Sequence, residues 1–232
     1  MAIGMLLERP KQFVRQVRTT PPRFQTRREE TANAVSHGIG LLASLIAGPL
    51  LLLKAMRTGD AVMVAACAAY VIPLIAVYLC STVSHAVAEA KLKLTWECWD
   101  QAMIYLLITG SFTPYAAAYL RSDPWPLLTW AMWILAAIGF TTKVLFHHRL
   151  RKAIIWMYVF LGWLPTIALP IMLSQMDPTC LQWTLASGLC YTFGTLFLLY
   201  DRAAPFLHVL WHLAVLAGSA FHFAAVYVYV VR

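Results

Sequence analysis

Seven stretches of this chain contain no Asp, Glu, Lys or Arg: 31–53, 61–88, 101–120, 124–142, 153–176, 178–200 and 203–231. Within them apolar side chains fall on every face of a helix instead of alternating. A helix rises about 1.5 Å per residue, so roughly 20 apolar residues cross the ~30 Å hydrocarbon core of a bilayer, and each stretch is long enough for one crossing. The strands of a membrane barrel would alternate apolar and polar positions over about ten residues, which these stretches do not. Helices are the remaining way to pair every backbone amide in lipid. The pattern therefore predicts an all-α, seven-transmembrane helix bundle with approximate spans 33–53, 62–85, 100–120, 125–145, 154–174, 180–200 and 207–230. Residues 31–232 form that one domain and residues 1–30 a basic leader. Pro49, Pro73, Pro114, Pro165 and Pro170 fall inside spans and mark kinks or local openings.

Composition sharpens the exclusion. The chain is 61% hydrophobic and 12% charged, with mean hydropathy +0.68, where a soluble domain carries about a quarter charged residues. A soluble globule is excluded. Met1 to Thr20 offers only the short apolar patch Ala2 to Leu7, broken by Glu8, Arg9, Pro10 and Lys11, so the first span is expected to direct insertion without a cleavable signal. The five cysteines are odd in number and form no C-x-x-C pair, which favours packed thiols over a disulfide framework.

The net charge of +8 raises the question of nucleic acid, and the placement of the basic residues answers it. With a cytoplasmic N-terminus, the inner segments carry Arg9, Lys11, Arg15, Arg18, Arg23, Arg27, Arg28, Lys91, Lys93, Arg149, Arg151, Lys152 and Arg202. The outer ones carry Lys54, Arg57, Arg121 and Arg232, with Lys143 near the inner end of the fourth span. Thirteen against four is a positive-inside bias, so the N-terminus is expected in the cytoplasm and the C-terminus outside. The charge reads as topology and contact with anionic headgroups; no nucleic-acid partner is expected. The leader reads either as a surface helix, with Leu6, Leu7, Phe13, Val14 and Val17 toward lipid, or as a frayed basic tail.

Orientation gives each polar residue a depth. Ser81 and His85 fall at the inner end of the second span, Asp100 at the inner start of the third, and His208 and His212 at the inner start of the seventh. Histidines four apart share one helix face and can reach one ion. Three imidazoles with an oxygen ligand or water are the donor set of a catalytic zinc site, and a nearby carboxylate can hold the water or take its proton. The H-x-x-x-H spacing alone is equally consistent with interhelical hydrogen bonding, and Val209 stands where H-E-x-x-H proteases carry Glu. The coincidence in depth with His85 and Asp100 favours the metal. His37, at the same inner level in a run with Gly38 and Gly40, reads either as a fourth polar member of the site or as a helix-packing residue, with packing favoured. His222 lies about 15 Å further along its helix, too far for the same ion, and is expected to be hydrogen-bonded in the bundle. His147 and His148 read as headgroup contacts.

These segments bring a family into view. The chain resembles the hemolysin III family, the bacterial branch of the progestin and adipoQ receptor proteins, in Glu29-Glu30-Thr-Ala-Asn33-Ala-Val-Ser-His37-Gly, Ser81-Thr-Val-Ser-His85, Asp100 through Pro114-Tyr, His208-Val-Leu-Trp-His212, and Gly218-Ser-Ala-Phe-His222-Phe. The resemblance covers residues 29 to 230. It implies zinc held by His85, His208 and His212, with Asp100 touching a zinc-bound water. The wider group includes alkaline ceramidases with the same Ser, Asp and three-His pattern, which implies metal-assisted hydrolysis of a lipid amide or ester, with Asp100 as proton acceptor and Ser81 as its hydrogen-bond partner. The alternatives are a receptor or regulator of membrane-lipid state with a structural zinc, and, less favoured, a pore. Membrane lipids, including a lipid or fatty acid inside the bundle, are the expected partners. A multi-pass protein of a bacterial inner membrane is the expected location.

Overall fold

The computed structural model describes residues 24–146 and 151–232, and every regular element in it is helical. The expected leader helix up to residue 23, and His147 and His148, lie outside the described residues. In chain order the elements are α1 (Arg27–Arg57), α2 (Ala61–Ala86), α3 (Ala90–Tyr119), α4 (Pro126–Phe146), α5 (Arg151–Trp163), a 3-10 turn (Leu164–Ala168), α6 (Leu169–Gln175), α7 (Pro178–Leu199) and α8 (Leu207–Ala225). Helices α5 and α6 are two halves of one rod, broken where Pro165 and Pro170 remove backbone donors. Pro49, Pro73 and Pro114 stay inside continuous helices. The described residues thus form seven rods.

Local chemistry sets the helix ends. Thr26 and Glu29 form a reciprocal capping box at the start of α1, and Asp60, Glu89 and Asp177 cap α2, α3 and α7 with their carboxylates. At the end of the bundle away from His85, Arg121 pairs with Asp60 and holds its carboxyl below the usual carboxylate range. After Ala225 the last helix widens into a π turn (Val226–Val230), and Lys54 of α1 donates to the Tyr227 carbonyl while lying 4.7 Å over the Tyr227 ring.

Helix α1 shows why this is a membrane bundle. Its buried stripe is Asn33, Ser36, His37, Gly40, Ser44, Gly48, Leu51 and Ala55, whereas Val35, Ile39, Leu42, Ile46, Leu50 and Leu53 point outward and are at least half exposed. Small and polar side chains face in and large apolar ones face out, the reverse of a soluble helix. Lipid provides no hydrophobic drive between helices, so close backbone approach and interior hydrogen bonds hold the bundle together. At Gly110 a β-carbon would strike the Ala69 carbonyl, so α2 and α3 meet backbone to backbone. Helices α1, α2, α3 and α4 pack in sequence, α7 packs on α8, and α8 returns to α1.

Five of the rods, α1, α2, α4, the rod from Ile155 to Gln175, and α8 with its π turn, are long and apolar enough to cross a bilayer. The protein is a multi-pass membrane protein. Helices α3 and α7 are less apolar for an identifiable reason: α3 opens with Lys91, Lys93, Glu97 and Asp100, and both turn hydroxyls inward, from Thr109 and Ser111 on one and Thr184, Ser187 and Tyr191 on the other.

Candidate metal centre

The last turn of α2 and the first two turns of α8 bring three histidines together. His208 and His212 lie one turn apart with ring centroids at 4.8 Å and planes tilted by 59°, and the His85 ring lies 5.2 Å and 5.0 Å from them. One ring nitrogen from each falls within 4.8 Å of the other two. A tetrahedral zinc site with bonds of ~2.0–2.1 Å spaces its nitrogens about 3.3 Å apart, so modest side-chain rotation closes the gap. His212 is 1% exposed, and the side chains of His85 and His208 retain 6% and 16%. Three imidazoles at one buried point fit a borderline-soft divalent cation such as zinc.

The rings are held from outside the cluster. His85 Nδ1 lies 2.8 Å from Glu30 Oε2, which also receives Lys93 Nζ at 2.7 Å. His208 Nδ1 lies 3.1 Å from Asp201 Oδ2. His212 Nδ1 lies 3.1 Å from Ser36 Oγ and 3.2 Å from the Asn33 carbonyl. Buried Glu29 ties the two helix starts together: one carboxylate oxygen closes the α1 capping box and the other accepts the Phe206 amide at 2.8 Å. Phe206 itself takes a left-handed conformation (φ 61°), uncommon for a bulky residue, immediately before α8.

A mostly apolar cavity, with about 210 Å³ open to water-sized molecules, lies beside the cluster between α3, the α5–α6 rod, α7 and α8. Asp100, His37 and His222 line it, and His37 touches the cluster through His212. His85, His208 and His212 do not line it. Ser81 is fully buried, its Oγ facing the Asp100 carboxylate without the geometry of a formed hydrogen bond. His222 is hydrogen-bonded as expected, with Nε2 2.9 Å from the Ser111 carbonyl. His37 packs its ring between α2 and α8. Its ring lies 3.5 Å from that of His212 at an interplanar angle of 9°, and neither of its ring nitrogens has a hydrogen-bond partner among the described residues.

Residues 25–223 match the haemolysin-III related family. The chain belongs to that family. It is 36% identical to "Hemolysin-3" of Bacillus cereus over 204 residues, covering 88% of this chain and 92% of the relative. It is 32% identical to "Hemolysin-3 homolog" of Bacillus subtilis (strain 168), covering 89% and 97%. A human relative, "Monocyte to macrophage differentiation factor", is 28% identical and covers 88% and 85%.

Within this haemolysin-III family member, the groups that grip the histidines were not assigned a role from sequence. Glu30, Asn33 and Ser36 fall in the first motif, where their three- and six-residue spacing places them on the α1 face that carries His37. Asp201 was visible only as an acidic residue in the short link before α8, seven positions ahead of His208.

Proposed function

We propose that this protein is a zinc-binding, seven-span membrane hydrolase acting on a lipid amide or ester. The observation that carries the reading is the buried His85, His208 and His212 group beside an apolar cavity that Asp100 lines and that His37 joins to the group. Those three histidines would hold the metal, which when bound supplies Lewis acidity toward a carbonyl and toward water. Asp100 is placed to hold a water molecule or take its proton, and the Ser81 hydroxyl is available to fix the carboxylate. The apolar wall from α3, α5 and α7 would accept an acyl chain and keep bulk water from the polar end.

A second reading, a regulator of membrane-lipid state with a structural metal, is favoured by one specific observation: the three histidines are not themselves on the cavity wall. Zinc content, melting temperature and lipid-amide hydrolysis, measured on the same preparations of wild type and His212→Ala, separate the two. Turnover that disappears with the metal supports the hydrolase. Zinc-dependent melting with no turnover across a broad lipid panel supports the regulator.

The topology rests on the charge distribution with α3 and α7 counted as the third and sixth spans beside the other five: N-terminus in the cytoplasm, C-terminus outside, in a bacterial inner membrane. A reporter fused after Arg232 that is active only in the cytoplasm contradicts it.

A further inference from the structure

Each of the three clustered histidines is gripped through Nδ1, and in each case the partner can only accept. The carboxylates of Glu30 and Asp201 have no proton to give when ionised, so the rings of His85 and His208 carry theirs on Nδ1. Glu30 is held as an anion by Lys93, whose ammonium shares the same oxygen. His212 reaches the same state by elimination. The hydroxyl proton of Ser36 is committed to the Asn33 carbonyl at 2.9 Å, which leaves Ser36 Oγ as an acceptor. The other neighbour of His212 Nδ1 is that same carbonyl, so the ring must donate. A neutral imidazole has one N–H, and three rings that donate from Nδ1 present three bare Nε2 lone pairs. His222 is set the opposite way, with Nε2 donating to the Ser111 carbonyl. The tautomer is thus a property of this cluster and not of histidines throughout the bundle.

We propose that Glu30 and Asp201 are positioning residues that lock His85 and His208 in the Nδ1–H tautomer and so set the affinity of the cluster for a divalent cation, with Lys93 fixing the Glu30 carboxylate in place. The proposal rests on the metal-site reading above. Removing the acceptor undoes the lock. In Glu30→Met the side chain keeps its length but offers His85 Nδ1 no strong acceptor, so the ring proton is free to move to Nε2, where it blocks that ligand. Glu30→Gln keeps the lock, because Lys93 and His85 share one carboxylate oxygen and an amide oxygen in its place accepts from both. The argument made for Glu30→Met holds for Asp201→Leu and His208. His212 is fixed by a backbone carbonyl, so no single side-chain change releases it.

The experiment uses purified full-length protein and zinc alone, with affinity read by chelator competition and ring tautomers read from ¹⁵N-histidine spectra of the metal-free protein. Asp177→Asn, which alters a helix cap in contact with no histidine, controls for general loss of stability. Glu30→Met and Asp201→Leu should each weaken zinc by about 10–100-fold. Each should also release one imidazole proton from Nδ1 to Nε2, while Glu30→Gln retains the wild-type tautomer and Asp177→Asn changes neither readout. If Glu30→Met fails to fold, Asp201→Leu alone decides. Tight wild-type binding with unaltered affinity and tautomers in both variants overturns this proposal and leaves the metal reading standing. No zinc binding by the wild type overturns both.

Discussion

The imidazole of His37 lies flat on that of His212, with centroids 3.5 Å apart and planes within 9°. This stack joins the cavity to the cluster, since His37 lines the cavity and His212 belongs to the candidate ligand set. His37 also meets the Tyr78 ring edge-on at 5.1 Å, so three helices fix its plane.

His37→Phe should keep the stack while removing two buried nitrogens that have no hydrogen-bond partner among the described residues. An unpaired buried polar group costs about 1–3 kcal/mol, so the melting temperature is expected to hold or rise and zinc content to stay at the wild-type level. A fall of several degrees would show that water or a ligand satisfies these nitrogens in solution.

Purified protein should carry about one zinc ion per chain, as a three-imidazole group at one point implies. Elemental analysis should show that ion lost in His85→Ala, His208→Ala and His212→Ala and retained in His222→Ala. Equal loss in His222→Ala would place the metal elsewhere.

Asp100→Asn preserves size and keeps a hydrogen-bonding group on the cavity wall. Zinc content and melting temperature should change little, while hydrolysis of a ceramide-like amide should fall by about 10² or more, the scale of losing a positioned acid or base. Steady-state kinetics beside elemental analysis checks both halves.

Gly188 of α7 faces the cavity with no atom within 4 Å of where a β-carbon would sit. In Gly188→Leu the helix gains up to about 1 kcal/mol of propensity, so stability should rise. The new side chain fills acyl-chain space, so lipid hydrolysis should fall with zinc content unchanged. Unimpaired turnover would show that substrate does not use this cavity.

Gly110→Ala forces α3 away from the Ala69 carbonyl of α2. Overpacking of this kind costs about 1–3 kcal/mol, and here it meets backbone that cannot rotate aside. Melting in detergent should drop by several degrees. An unchanged melting temperature would mean that the two helices do not meet so closely.

The sequence by itself determined the helices and the level of the site. Uncharged stretches of 19 to 29 residues specify helices long enough to span a bilayer, because lipid allows an isolated segment no other way to pair its backbone. The four-residue spacing of His208 and His212 put both on one face, and depth along the spans brought His85 to them, since both follow from helical rise and periodicity alone. Tertiary structure decided what the spacing left open. The rotation of α1 about its axis turned His37 onto His212 and Glu30 toward His85, and the close approach of α1 to α8 brought Asn33 and Ser36 to Nδ1 of His212. Those contacts join residues 55 to 179 positions apart. A helix's period fixes which residues share its face, but the direction that face points is set only by the helices packed against it.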